Sequence, residues 1–271
     1  MEAIQSNIID FSKIIGHLEL KGKILDVLSS GLKDDPVREA YLKSIDFHSI
    51  RGIMIYSPPG LGKTETLRAI ERSLKDHPLI EAKYHQCSEF QGTTGKNSKL
   101  IENVFELARS TKKKTYVMLL DEIDSIFMKK RGMLNVAERT NALLSEMDGM
   151  KDSSKIVIIA TTNRIGNIEE AMMSRFRDLV QLQPPNEEER KEFILKYISP
   201  IIYDKQFDMD IMVRDTEGYT GRNFKDIGMK MIDIYSRTNK PVTLQSLLVE
   251  VGKYRNRAGL IKNNIETEKG D

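Results

Sequence analysis

Three short segments of the chain hold residue types suited to chemistry on a phosphate. The first is Ser57-Pro58-Pro59-Gly60-Leu61-Gly62-Lys63-Thr64. Glycines at 60 and 62 let backbone N–H groups converge on an anion with no Cβ in the way. Lys63 would reach the β- and γ-phosphates of a nucleotide, and the Thr64 hydroxyl would ligate Mg2+. Ser57 stands where the strict G-x-x-x-x-G-K-[ST] spacing has its first glycine, a small residue for a small one. The second segment is Asp121-Glu122, which ends the apolar run Val117-Met118-Leu119-Leu120. Burial opposes charge, so adjacent carboxylates there are poor choices for stability. They suit chemistry: Asp121 near hydrated Mg2+, and Glu122 polarising an attacking water. The third segment is Thr161-Thr162-Asn163, again at the end of an apolar run. An Asn in that place is usually a turn residue, whereas beside a carboxylate its amide could hold the water and sense the γ-phosphate.

These residues need a scaffold that brings strand ends together. Apolar, β-rich runs occur at Gly52 to Tyr56, Ala82 to Cys87, Thr115 to Leu120, Lys155 to Ala160 and Leu179 to Leu182. Helical spacing fills the gaps, at Thr64 to Leu74, Leu100 to Ala108 and Val136 to Met147. Strands apolar throughout that alternate with helices predict a parallel sheet covered on both faces. The fold class is therefore α/β, a P-loop NTPase with a five-stranded parallel sheet sandwiched by helices. Ligands bind such sheets at the carboxyl edge, where the three segments would meet. After Pro184-Pro185 the apolar positions Phe193, Ile194 and Tyr197, then Ile227, Met231 and Ile234, recur at helical spacing. This predicts a large nucleotide-binding domain over 1–183, a small helical lid domain over 184–262 and a polar, frayed tail over 263–271.

Composition narrows the class further. Lys and Arg number 42 against 40 Asp and Glu, which leaves no electrostatic footprint for wrapping nucleic acid. The single cysteine, Cys87, cannot form an intrachain disulfide and fits a reducing compartment. Its neighbours read as strand, which favours a small buried thiol over a reactive one. One cysteine and four scattered histidines do not make an ordinary zinc site. No apolar run approaches the ~20 residues of a membrane span, and the N-terminus lacks a signal-peptide profile. The expected setting is the cytoplasm.

With these motifs in view, the sequence resembles the AAA+ ATPases, and within them the AAA subgroup that includes katanin, spastin and the AAA proteases. The likeness covers nearly the whole chain. Phe11 to Lys21 looks like the segment that lines the adenine pocket, which implies Ile15 and Gly16 in cofactor binding; Lys13 stands where the family often has an acid. Gly95 to Arg109 is similar to the helix after the second strand. Asn141 to Gly149 is close to a family hallmark, and Ala160-Thr161-Thr162-Asn163 matches sensor 1. Pro184, Pro185 and Glu187 to Arg190 resemble the approach to the helical lid, and Gly218-Tyr219-Thr220-Gly221 its turn near the nucleotide.

The resemblance implies ATP and Mg2+ as cofactors, hydrolysis at subunit interfaces of a ring, most often a hexamer, and a protein substrate or adaptor as partner. It implies a nucleotide-binding set of Ile15, Gly16, Pro59, Gly60, Leu61, Gly62, Lys63, Thr64, Glu65, Asp121, Gly221 and Arg222, with Thr64 and Asp121 on the metal. Glu122, Asn163 and Arg175 form the catalytic set. Arg175 matches the second of the family's paired finger arginines; Met172 takes the place of the first, and Arg177 is a weaker candidate. Arg222 could serve as a sensor-2 arginine or face solvent at a helix start. Thr93 occupies the place of the usual pore aromatic, so Phe90 either lines the pore or anchors the helix that follows. The leading expectation is an ATPase that remodels, disassembles or unfolds a protein. A nucleic-acid loader or clamp-type switch and a nucleotide-gated scaffold of low turnover are the alternatives. No H-E-x-x-H motif is present, so no fused metalloprotease is expected.

Overall fold

A computed structural model describes residues 8–32, 37, 40, 41, 44, 50–90, 97–127, 136–148, 155–201, 208–240, 242, 243 and 246–253. Thr93, Gly95, Gly149 and the expected tail lie outside them. The chain divides into two compact units. One comprises Met1–Pro59 and Lys63–Leu182, the other Gly60–Gly62 and Gln183–Asp271. Three residues of the glycine-rich loop thus group with the second unit.

In the first unit, helix α1 (Leu18–Leu32) leads to β1 (Ile50–Tyr56), α2 (Lys63–Leu74) and β2 (Ile80–Gln86). A short 3-10 turn, Cys87–Phe90, precedes α3 (Asn97–Arg109), β3 (Thr115–Asp121) and α4 (Asp124–Phe127). Then follow α5 (Val136–Asp148), β4 (Ile156–Thr162), α6 (Glu170–Met173) and β5 (Phe176–Gln181). The sheet is five-stranded in the order β2-β3-β4-β1-β5, and every pairing is parallel. All seven residues of β3 and of β4 are buried. That is why these central strands read as unbroken apolar runs, while edge strand β5 alternates. Thr115 at the start of β3 donates its hydroxyl to the Gly31 carbonyl at 2.8 Å and ties the end of α1 to the sheet.

The elements differ from expectation mainly at their ends. Cys87 begins the 3-10 turn instead of closing β2, and it is fully buried. β5 starts at Phe176, three residues before Leu179, which is itself exposed. Phe90 joins the core with Ile101, Phe105, Met118 and Ile126, and its ring lies 6.3 Å from that of His85. Of the two roles open to Phe90, its burial supports the anchor.

In the second unit the described elements are helical: α7 (Glu187–Tyr197), α8 (Met209–Asp215), α9 (Gly221–Thr238), a 3-10 turn at Ser199–Ile201 and a final helical stretch over 246–253. Each of the three named helices has a side-chain cap. The Asn186 side chain accepts from Glu189 N at 2.9 Å while the Glu189 carboxylate accepts from Asn186 N, a reciprocal box that satisfies two orphan donors. Asp208 accepts from Asp210 N and Ile211 N, and Asn223 accepts from Thr220 N at 2.8 Å. Phe224, Ile227, Gly228 and Met231 form the buried face of α9, with Phe224 stacked on Phe193 at 5.3 Å. A Cβ on Gly228 would collide with the Tyr197 carbonyl oxygen, so glycine permits the close crossing of α9 and α7.

The burial of Phe90 generates a prediction. Phe90→Ala should destabilise the first unit by ~3–5 kcal/mol and depress ATP binding and turnover together. Thermal melting beside an ATPase assay checks this. Unchanged melting with selective loss of substrate-stimulated turnover would return Phe90 to the pore.

Candidate functional site

The site is built at the carboxyl ends of β1, β3 and β4. Tyr56 pairs with Thr162 in register, and Ser57 N donates to the Thr162 carbonyl at 3.4 Å. The loop after β1 is thereby tied to the end of β4. Ser57 has no positive φ, unlike Gly60 at 93° and Gly62 at 89°. Serine in place of the expected glycine therefore brings no backbone strain. Its Oγ also accepts from Lys63 Nζ at 2.9 Å. Carbonyl oxygens of Ser57 and Pro58 accept from the same ammonium at 2.7 and 3.0 Å. Lys63 is only 6% exposed, so its charge is desolvated and answered by loop oxygens. These are the contacts that phosphate oxygens could replace.

Asp121 is 2% exposed. Its Oδ1 accepts from the Thr161 hydroxyl of β4, and its Oδ2 accepts from the Tyr84 hydroxyl of β2 at 2.7 Å. Burial, then the bond to Asp121, pushes the Tyr84 phenol up to about 12, so Tyr84 keeps its proton and donates. Glu122 is half-buried, and its φ of 54° puts it in the left-handed region. For a non-glycine residue that conformation costs about 1 kcal/mol or more. The turn is fixed by Glu122 N donating to Thr161 Oγ1 at 3.1 Å and Ile123 N donating to the Thr161 carbonyl at 2.9 Å. Gln86 Nε2 donates to Glu122 Oε2 at 3.0 Å. Asp124, also buried, accepts from the Thr162 hydroxyl at 2.8 Å and from Asn163 N at 3.3 Å. Asn163 is therefore anchored by its backbone at the end of β4, close to the acidic turn.

The structure thus brings Asp121, Glu122 and Asn163 together and places Ser57 on the same sheet edge, with Lys63 bound back to it. Thr64 is half-buried at the start of α2, and Pro59 is exposed. Glu65 is exposed and pairs with Arg72 of its own helix at 2.9 Å, an ordinary surface ion pair. Ile15 and Gly16 lie in the turn before α1, where Gly16 has a φ of 69°. The side chain of Arg175 bonds to Asp148 and Ala171 and to none of Asp121, Glu122 and Asn163. It grips Asp148 through Nε at 2.9 Å and Nη2 at 2.8 Å, and its Nη1 donates to the Ala171 carbonyl. Arg177 is exposed and lies 3.7 Å from Asp178. In the second unit Leu61 is buried, and Gly221 and Arg222 open α9. There Arg222 N donates to the Gly60 carbonyl at 3.4 Å, and the Arg222 side chain is exposed.

Sequence reasoning missed Tyr84, Gln86, Asp124 and the hydroxyls of Thr161 and Thr162. Tyr84 and Gln86 sit two apart on β2, a spacing that marks one face of a strand, but only the sheet order places that face beside β3. The donors suit a hard cation: an aliphatic hydroxyl, and a carboxylate with lone pairs left on both oxygens. No group of three or more His, Cys, Asp or Glu able to hold a metal occurs among the described residues. Mg2+ takes one or two protein oxygens and completes its shell with phosphate and water, so these two donors would suffice to hold it.

A parallel sheet with a glycine-rich loop after β1 and paired acids after β3 defines a P-loop nucleoside triphosphatase fold, and comparison with known proteins narrows the class. Residues 53–184 match the family model described as "ATPase family associated with various cellular activities (AAA)". A proteasome-activating nucleotidase of Sulfurisphaera tokodaii is 31% identical over 277 aligned positions, which cover 99% of this chain and 68% of that relative. Cell division protein C of Sulfolobus acidocaldarius is 29% identical over 81% of this chain and 58% of its own length. The ATP-dependent zinc metalloprotease YME1L of Drosophila melanogaster is 30% identical over 65% of this chain and 24% of its own length. The chain belongs to the AAA family of ATPases and is an ATP hydrolase. It spans between about a quarter and two thirds of these relatives.

Two substitutions separate the loop's roles. Lys63→Ala removes the ammonium that binds the loop's oxygens, and nucleotide affinity should fall about tenfold or more. Ser57→Gly keeps the loop path, should leave affinity near that of the parent and should cost about 0.4–1 kcal/mol of stability through the unfolded chain. Calorimetric nucleotide titration and thermal melting read both.

Proposed function

We propose that the chain is a Mg2+-dependent ATPase that works in a ring, most often a hexamer, and converts hydrolysis into remodelling or unfolding of a protein. The observation that carries this reading is the pair at the end of β3. Asp121 is locked between two hydroxyl donors, and Glu122 is turned out of the strand and held at one carboxylate oxygen by Gln86. In this reading Thr64 and Asp121 would hold Mg2+, which neutralises charge on the phosphates when bound. Lys63 exchanges its loop oxygens for phosphate oxygens. Glu122 takes the proton of the attacking water through its remaining lone pairs, and Asn163 orients that water. Ile15, Gly16, Pro59, Gly60, Leu61, Gly62, Glu65, Gly221 and Arg222 are the further residues proposed to bind nucleotide.

Arg175 is proposed as the finger that reaches a neighbouring subunit's nucleotide. A guanidinium has five N–H donors, and three of them are engaged by Asp148 and Ala171. Two therefore remain, and the bidentate grip of Asp148 orients them. Two relatives are named for activating a proteasome and for metalloprotease activity, which favours a protein substrate over nucleic acid, as does the near balance of charge. No helix among the described residues is long and apolar enough to cross a membrane. A cytoplasmic setting remains part of the proposal.

Glu122→Gln keeps shape and the Gln86 contact but deletes the base. ATP binding should persist while steady-state hydrolysis falls at least ~10²-fold. Full turnover in that variant would remove Glu122 from the mechanism. Arg175→Ala should bind ATP and hydrolyse it ~10³-fold or more slowly. Mixing the two variants should restore part of the activity, since some interfaces then combine an intact finger with an intact base. Specific activity that is unchanged on dilution to a monomer would overturn the ring.

A further inference from the structure

The two oxygens of Asp121 are held from opposite sides. Thr161 of β4 donates to Oδ1, and Tyr84 of β2 donates to Oδ2 at 2.7 Å. A carboxylate swings about its Cβ–Cγ bond unless both oxygens are restrained, and here a hydroxyl from each flanking strand sets its plane. Tyr84 reaches the carboxylate because β2 and β3 run parallel in register, Tyr84 opposite Leu119 and Gln86 opposite Asp121. The tyrosine is itself clamped to α2, the helix that begins with Lys63 and Thr64. Its backbone N donates to Glu71 Oε1 at 2.9 Å, and the Arg68 guanidinium lies over its ring at 5.4 Å. Gln86 Oε1 lies 3.0 Å from the same hydroxyl; the single proton goes to the charged acceptor, which makes the shorter bond. A residue needed only to fill space beside α2 would not require that hydroxyl, since phenylalanine has the same ring.

We infer that Tyr84 is a positioning residue for the metal-side carboxylate: its hydroxyl sets the orientation in which Asp121 meets a nucleotide-bound divalent cation. The inference rests on the proposed reading of Asp121. In this reading Tyr84 acts through Asp121, as outer-shell partners of metal ligands do. Gln86, two residues on, holds Glu122 instead. The two side chains of one strand face therefore serve different carboxylates, and their loss should be separable by experiment.

The test is a Mg2+ titration of a fluorescent ADP analogue bound to the full chain, made with the parent, Tyr84→Phe, Asp121→Asn and Gln86→Ala. Melting temperature and ATP turnover are recorded beside it. Tyr84→Phe should leave melting and metal-free analogue affinity at parental values and raise the Mg2+ midpoint about tenfold. Its turnover should recover toward the parent at saturating Mg2+. Gln86→Ala should lower turnover at every Mg2+ concentration and leave the midpoint in place. A Mg2+ midpoint unmoved by Tyr84→Phe but moved by Asp121→Asn overturns the inference and leaves the site reading standing. A loss of metal-free affinity in Tyr84→Phe equal to the loss with Mg2+ also overturns it, because the effect is then general to the fold. A midpoint unmoved by Asp121→Asn overturns the reading of Asp121, and the inference with it.

Discussion

Desolvation of the end of β3 is the constraint that the rest of the site answers. A carboxylate with 2% of its surface exposed is costly unless its oxygens are hydrogen-bonded. Asp121 meets this demand with donors from both neighbouring strands, Tyr84 on one side and Thr161 on the other. Parallel pairing makes this possible, because it brings the carboxyl ends of β2, β3 and β4 to one edge in register. The Thr161 hydroxyl then serves twice, donating to Asp121 and accepting from Glu122 N. One threonine thus both satisfies the buried acid and fixes the turn that presents the next one.

That turn carries the strain of the site. Glu122 sits at a positive φ without being glycine, and two bonds to Thr161 hold it there. The result is a second carboxylate that leaves the strand direction and stays half-exposed beside the first. Lys63 poses the same problem with the opposite sign. Its buried ammonium is met by three oxygens of the preceding loop, all of them neutral, so the more strongly accepting oxygens of a phosphate can displace them.

The second unit is organised by aromatic packing and by caps. Phe193, Phe224 and Tyr219 form its ring cluster, and Gly228 admits the close crossing of two helices.

Much of this was legible in the sequence because it is local. The strand–loop–helix around Lys63, the acids after Val117 to Leu120, and the helical periodicity after Pro185 each depend on residues close together in the chain. The structure has all five strands and their alternation with helices, with displaced ends where local preference is weak, as at Cys87 and Phe176. What the sequence could not give was neighbourhood. Strand order β2-β3-β4-β1-β5 depends on which buried faces and helices fit together over the whole sheet. Only that order makes Tyr84 and Gln86 partners of Asp121 and Glu122, makes Thr161 a ligand of both the acid and the turn, and draws Phe90 into the core. Side-chain type and spacing determine which groups are capable of chemistry; long-range packing decides which of them touch, because a hydrogen bond to a buried charge has to be supplied by whatever strand lies next to it.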